Sequence, residues 1–335
     1  MAAAEHSART EAARTDAVRV GLVGSGLIAR QHLLAMARVP EIVPAGVASR
    51  TRAHAEALAR EFAVPVVADS PAELVAAARP DALMILVSPQ AMLQVALSCM
   101  DLGLPLFLEK PVGLCGDEAE LAAEAAARRG VPNMVGFNRR HYSVFAAGLR
   151  RIRERGRLLS VIVEGSERMA VARGTGRFTA DVLRAWLFAN ATHTIDLLRH
   201  FGGEPAEVAA FSASLREPLG DQFAACLRFE SGTLGAYYAN WHSPGGWAVT
   251  LKGEGVSVDF RPLEKGLVSH ADGTREELLP DADDAAVKPG FAGQLRALAR
   301  LVRERRLDPP SQDLAGALRT MRLAERLAGS PAPLA

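Results

Sequence analysis

Only four of the 39 basic residues in this chain are lysine (Lys110, Lys252, Lys265 and Lys288), and the other 35 are arginine. Against that bias, the lysine in "LFLEKPVG" (106–113), directly after an apolar run, calls for a chemical reading. Lysine offers a compact ammonium whose pKa falls readily on burial, so it can stabilise developing negative charge or move a proton. A strand-end lysine that snorkels to the surface has the same sequence context, and position alone leaves both readings open. A second candidate lies in "ATHTIDLLRHFGG", where His193 and Asp196 stand at i and i+3 on one helical face. This pair reads as a proton-transferring histidine oriented by a carboxylate, or as a bond internal to the helix. A zinc site is set aside because no third ligand has sensible spacing.

The third candidate is a loop. "GLVGSGLIARQH" sets Gly24, Gly26 and Ala29 in a G-x-G-x-x-A pattern after a strand-like run and at the start of a helical one. Gly24 permits a tight turn, and Gly26 lets backbone approach a pyrophosphate that the helix N-terminus stabilises. Ala29 allows close packing of helix on strand. Ser25, Leu27 and Ile28 complete the dinucleotide-binding turn, and the bland alternative is a structural glycine turn. About 20 residues on, where an acidic residue would grip the ribose of NAD, the second strand ends "VASRTR" with Ser49 and Arg50. A hydroxyl and a guanidinium suit a 2′-phosphate, so NADP(H) is expected over NAD(H). The competing reading is a helix cap followed by a surface arginine.

The elements that must position these groups follow from periodicity. From residue 18, short continuously apolar runs ("VRVGLVG", "IVPAGVAS", "VPVVA", "ALMILVS", "PLFLEK", "VPNMVGF") alternate with helical segments. Such strands imply a parallel sheet covered on both faces, a doubly wound Rossmann domain over 18–137. In "SPAELVAAARP", Ser70 is a cap, Pro71 suits the first helical position and Glu73 closes a capping box. Residues 138–335 read differently. A helix around "RRHYSVFAAGLRRIRERG", a strand "LLSVIVEGSERM" and a long helix around "VLRAWLFANATHTIDLLRHFGG" come first. Consecutive strands with short links follow, one of them the hairpin turn "ESG", and two helices near 289–306 and 312–328 close the chain. The expected fold class is thus α/β: an N-terminal doubly wound domain and a C-terminal α+β domain with a large, mainly antiparallel open sheet.

The 335 residues, 49% apolar and 23% charged, are enough for two domains with sizeable cores. A net charge of +1 provides no broad field for nucleic acid or an anionic membrane. Cys99, Cys115 and Cys226 have no metal-ligand spacing and are expected as reduced thiols in a cytoplasmic protein. Residues 1–17 lack an apolar stretch of the secretory kind and are expected as a disordered tail. "ALMILV" is too short to span a bilayer.

Together, "GLVGSGLIARQH", "EKP" at 109–111, "GFNRRHYSVF" at 136–145 and "HTIDLLRHFGG" at 193–203 resemble the Gfo/Idh/MocA family, the glucose–fructose oxidoreductase and inositol dehydrogenase group. The resemblance covers nearly the whole chain from about 18 to 330. It implies a nucleotide-binding domain followed by an α/β domain whose open sheet forms a substrate wall and an oligomer interface, hence a homodimer or homotetramer. It also implies that Lys110 and His193 are active-site residues. Glu109 and Pro111 would shape the cofactor turn, with a cis bond before Pro111. Arg139 and Arg140 would sit at the domain junction, with Arg140 on the cofactor side. Ser88, Pro89 and Gln90 would border the nicotinamide. The sequence departs from the family at one place: the Asp or Asn expected four residues before the histidine is Ala189, with Asn190 one residue later. Trp186 and Phe188 replace small residues there, which narrows the pocket. Tyr142 is a reserve acid or a core residue. The expected reaction is hydride transfer with a secondary alcohol or ketone of a sugar, amino sugar or cyclitol. A nucleotide-binding sensor without turnover, or a reductase of an imine or conjugated double bond, stands as the alternative.

Overall fold

Six apolar runs, β1 (Val18–Val23), β2 (Ile42–Ala48), β3 (Val67–Ala68), β4 (Ala82–Ile85), β5 (Leu106–Leu108) and β6 (Asn133–Val135), form one parallel sheet in the order β3-β2-β1-β4-β5-β6. The computed structural model describes residues 17–329 and 332–333. The tail expected over 1–17 lies, Ala17 apart, outside the described residues. The central strands are buried on both faces: Val20, Leu22, Leu83, Met84, Leu106 and Phe107 are all at 0% exposure. That is why they are continuously apolar rather than alternating. Helices Leu27–Met36, Arg52–Phe62, Pro71–Ala78 and Pro89–Met100 connect them. Ser70 Oγ accepts the Glu73 amide at 3.2 Å, the cap expected there, while the Glu73 carboxylate accepts the amide of Asp69, one residue before the cap, at 3.1 Å rather than that of Ser70.

This first compact unit is not one continuous stretch. It takes in residues up to 112, 120–138 and 283–315. Helix Phe291–Glu304 places Phe291, Leu295, Leu298 and Leu301 in one core with Val20, Leu33 and Phe107. Each such side chain contributes about 1.5–3 kcal/mol when fully buried. A single cut after 137 leaves this return out, because amphipathic spacing identifies an apolar face but not the sheet it will cover.

The second unit is built on nine strands: β7 (Leu158–Gly165), β8 (Pro205–Ser214), β9 (Gln222–Phe229), β10 (Leu234–Asn240), β11 (Trp247–Gly253), β12 (Val256–Phe260), β13 (Gly266–His270), β14 (Arg275–Leu278) and β15 (Ala332–Pro333). Their order is β14-β13-β12-β11-β7-β10-β9-β8-β15, antiparallel except at β7–β10 and β8–β15. Alternation is clear on β9, where Phe223, Ala225, Leu227 and Phe229 are buried and Ala224, Cys226 and Arg228 face out. The "ESG" hairpin joins β9 to β10, with Gly232 at φ +83°. The β13–β14 hairpin goes unread in the sequence because "REEL" is charged and short. Its turn is fixed by Asp272, which accepts both the amide and the hydroxyl of Thr274.

The long helix expected around 182–203 is broken in three. Ala180–Arg184 is α-helical, Leu187–Ala191 is a π-turn and Thr192–Gly202 is α-helical. In the π-turn the Thr192 amide reaches back to the Leu187 carbonyl, one residue further than in an α-helix. The Thr192 and Thr194 hydroxyls donate to the Phe188 and Ala191 carbonyls, so this turn's acceptors remain satisfied.

Candidate active site

In the first unit, the loops after β2, β1, β4 and β5 lie side by side at the carboxyl edge of the sheet, on both sides of the β1–β4 junction where strand order reverses. That edge is where open α/β sheets take ligands. A cleft of about 640 Å³ opens there, lined by Gly24, Ser25, Gly26, Ser49, Arg50, Thr51, His54, Asp69, Leu86, Ser88 and neighbours. Gly24 has φ +116°, and a Cβ on it would stand 2.4 Å from the Leu86 carbonyl oxygen, so only glycine fits. At Gly26 nothing lies within 4 Å of the Cβ position. Gly26 caps helix Leu27–Met36 without a side-chain bond, and the first-turn amides of a helix have no partner within it. Bare backbone donors beside an empty volume fit a dinucleotide pyrophosphate. Ser25 Oγ donates to Ser49 Oγ at 2.8 Å and ties the glycine loop to the end of β2. Arg50 is exposed on the cleft wall.

Other residues expected at the cofactor are placed differently. Ser88 lines the cleft, whereas Pro89 opens helix Pro89–Met100 and Gln90 is exposed beyond the lining residues. Leu27, 70% exposed, lines a smaller neighbouring hollow with Arg30 and His54. Ile28 packs its side chain on the core, so only its amide belongs to the loop. Glu109, expected to shape the cofactor turn, is held by protein partners. It is buried, and Oε1 bonds His32 Nε2 at 2.8 Å while Oε2 accepts the Lys110 amide at 3.2 Å. A carboxylate out of water needs such partners, and His32, fully buried between Phe107 and Phe291, supplies one. His32 stood in the quoted motif but carried no signal of its partner, which is 77 positions away. Lys110 itself is half-buried at the carboxyl end of β5, and the Lys110–Pro111 bond is cis.

In the second unit, His193 is at 6% exposure, near the start of helix Thr192–Gly202. Its ring lies 5.8 Å from that of Trp247, and the Arg139 guanidinium stands 4.3 Å over the same indole. Trp247 borders a cavity of about 420 Å³ with Ser166, Glu167, Arg168, Gly246 and Glu264. The Tyr142 hydroxyl, otherwise buried, donates to Glu264 at 3.4 Å. Asn190 Nδ2 donates to both oxygens of Glu167 at 3.0 Å. Trp186 packs edge-on against Phe178 at 5.0 Å. Glu167, Trp247 and Glu264 were not found by sequence reasoning. Their one signal was position at strand ends, in "EGSERM", "GGWAV" and "RPLEK".

Asp196 and Arg140 also need correction. Both oxygens of Asp196 receive Arg140, Nε at 2.7 Å and Nη2 at 2.8 Å, and Thr320 adds a hydroxyl at 2.8 Å. At 1% exposure this carboxylate does not meet substrate. Burial pushes its pKa up, but Arg140, Arg199 and Thr320 outweigh that and hold it below the usual carboxylate range. Arg140, expected at the cofactor, is the partner that such a buried charge requires. Among the described residues no group of three His, Cys, Asp or Glu is arranged to hold a metal, and no helix is long and apolar enough to cross a membrane.

Known proteins share this fold. Residues 18–137 match an oxidoreductase family with an NAD-binding Rossmann fold, and residues 153–258 match the GFO/IDH/MocA C-terminal domain. The chain is 32% identical over 207 residues to myo-inositol dehydrogenase Hyg17 of Streptomyces leeuwenhoekii, a match covering 59% of this chain and 62% of that protein. It is 25% identical over 244 residues to the scyllo-inositol 2-dehydrogenase (NAD(+)) of Bacillus subtilis strain 168, covering 69% and 70%. Levoglucosan dehydrogenase in complex with NADH and L-sorbose superimposes with a TM-score of 0.79 over 94% of this chain and 96% of its own, at 18% identity, a likeness of fold. With both domains matched in order, the chain belongs to the Gfo/Idh/MocA oxidoreductase family.

Proposed function

We propose that this protein is an NADP(H)-favouring dehydrogenase that interconverts a secondary alcohol and a ketone on a sugar, amino sugar or cyclitol. The observation that carries the reading is the edge of the parallel sheet, where the glycine loop after β1 and Lys110 after β5 share the ligand-binding side. Gly24, Gly26 and the first-turn amides of helix Leu27–Met36 would hold the pyrophosphate, and Ser49 and Arg50 a 2′-phosphate. Ser88 would border the nicotinamide. When bound, the dinucleotide supplies the hydride donor or acceptor. Lys110 then stabilises the alkoxide charge that develops on the reacting oxygen, and His193 takes up or gives back its proton. Arg139, stacked on Trp247, and Trp186 stiffen the substrate wall. Tyr142 acts behind it through Glu264.

Neutral polyols suit a cavity whose acceptors, Glu167 and Glu264, are already steadied by Asn190 and Tyr142. The relatives' names point to inositols and to NAD(+) or NADH, so myo-inositol with each coenzyme is the first assay. Fluorescence titration with NADPH and NADH separates the coenzymes without a substrate: tighter NADPH binding supports the Ser49–Arg50 reading, and tighter NADH binding removes it. Lys110→Met is expected to lower kcat by about 10²–10⁴-fold with dinucleotide affinity kept. Undiminished turnover takes Lys110 out of the chemistry, and dinucleotide binding with no turnover on any polyol favours a sensor.

A second copy is proposed on the outer face of the nine-stranded sheet. There Phe211 (82% exposed), Ala224 and Tyr238 lie in adjacent register on β8, β9 and β10, and Ala236 pairs with Ile162 on β7. An apolar patch of this kind marks an interface, and light scattering that gives only monomer mass overturns the homodimer or homotetramer. The three free thiols fit the reducing cytoplasm, to be checked by fractionation.

A further inference from the structure

The end of β7 passes unusually close to the helix that carries His193. A Cβ on Gly165 would stand 2.4 Å from the Tyr237 hydroxyl and 2.6 Å from Thr194 Oγ1, so the strand reaches that point only as glycine. Two residues on comes Glu167, a carboxylate at 6% exposure on the wall of the 420 Å³ cavity. Its oxygens hold Asn190, which sits in the π-turn one turn before His193. Gly165 pairs across the sheet with Trp247, the residue whose ring packs near His193. The Tyr237 hydroxyl, on the strand paired with β7, contacts Thr194 Oγ1 at 3.2 Å. The direct contact is that of Glu167 with Asn190, and the Gly165–Trp247 pairing and the Tyr237–Thr194 bond bring the end of β7 against the helix that carries His193.

We propose that Glu167 is a positioning residue that supplies, from the end of β7, the carboxylate this chain lacks at Ala189, fixing Asn190 and favouring the protonated form of His193. The inference rests on the reading of His193 as the proton-transfer residue. The π-turn explains why the substitute comes from elsewhere. An inserted residue changes the phase between positions 187–191 and the helix that follows, so a carboxylate four residues before His193 no longer keeps the ordinary α-helical relation to it. An anchored neighbour on β7 does not depend on that phase. The other charged or titratable groups around this helix have assigned partners or settled states. Asp196 is held by Arg140, Arg199 is bonded to Glu204, Arg139 is stacked on Trp247, Glu264 is bonded to Tyr142, and Glu164 on β7 pairs with Arg261. His200 is lowered to about 3, chiefly by burial, and is neutral at working pH.

The test is a titration of histidine ring signals by NMR in the dinucleotide-free protein, with His193 assigned from its loss in His193→Gln. Glu167→Gln keeps the shape and an acceptor for Asn190 but removes the charge. It is expected to move the His193 midpoint down by about one pH unit, while Glu167→Asp keeps the midpoint within a few tenths. An unmoved midpoint in Glu167→Gln overturns the proposal. So does an equal displacement in Glu167→Asp, which would make the effect one of shape. An unchanged melting temperature confirms that the variants fold. The parent reading fails separately, if His193→Gln turns over myo-inositol at the wild-type rate whatever the titration shows.

Discussion

In the first unit the groups that face the cleft are presented by backbone: a glycine at positive φ, bare amides on a helix N-terminus, and loops delivered together by parallel strands. In the second unit the candidate site is built from side chains that hold one another, Glu167 with Asn190 and Arg139 with Trp247, over the buried pair of Asp196 and Arg140. The difference teaches where each kind of site is fragile. A backbone site fails when one glycine gains a side chain. A side-chain site fails when one partner of a buried pair is removed and the other is left in a medium that cannot solvate it.

The sharpest test of the first half is Gly24→Val. Its side chain would meet the Leu86 carbonyl at 2.4 Å, and its backbone at φ +116° is strained by about 1–3 kcal/mol before any clash. Loss of NADPH binding in a fluorescence titration and a lowered melting temperature are expected. Normal binding would break the backbone account. For the second half, Asp196→Ala strands the Arg140 charge and is expected to destabilise by about 3–5 kcal/mol in denaturant unfolding, with dinucleotide binding kept wherever the protein folds. The same carboxylate sets a pH dependence. Its folded pKa is below the unfolded value of about 3.9, so its contribution is complete above that value and is lost as pH falls through the folded pKa. Asp196→Asn should flatten that acid limb. A smaller effect is expected at Arg50→Ala, about a ten- to hundredfold loss of NADPH affinity with NADH unchanged. Arg52→Ala, whose ion pairs with Asp69 and Glu56 are exposed, should leave the melting temperature essentially unmoved.

The contrast also governs what could be read without coordinates. The parallel sheet, the glycine loop, the cap at Ser70 and the "ESG" hairpin all depend on residues close together in the chain, and each was legible. His32 with Glu109, Glu167 with Asn190 and helix Phe291–Glu304 on the first core depend on partners 77, 23 and more than 150 positions apart. No local pattern records such pairings. The π-turn lies in between: "LFANATHT" reads as helix because it sits inside a longer helical segment, and in the structure two threonine hydroxyls donate to carbonyls of the turn.

By itself the sequence determined two domains, a doubly wound sheet with a dinucleotide loop and the candidacy of Lys110 and His193, because hydrophobic period and glycine stereochemistry act over a few residues. Only the tertiary structure decided that Asp196 belongs to Arg140, that Glu109 accepts the Lys110 amide and that Glu167 holds Asn190. Buried charges must find partners wherever the chain brings them, and that is settled by packing across the fold.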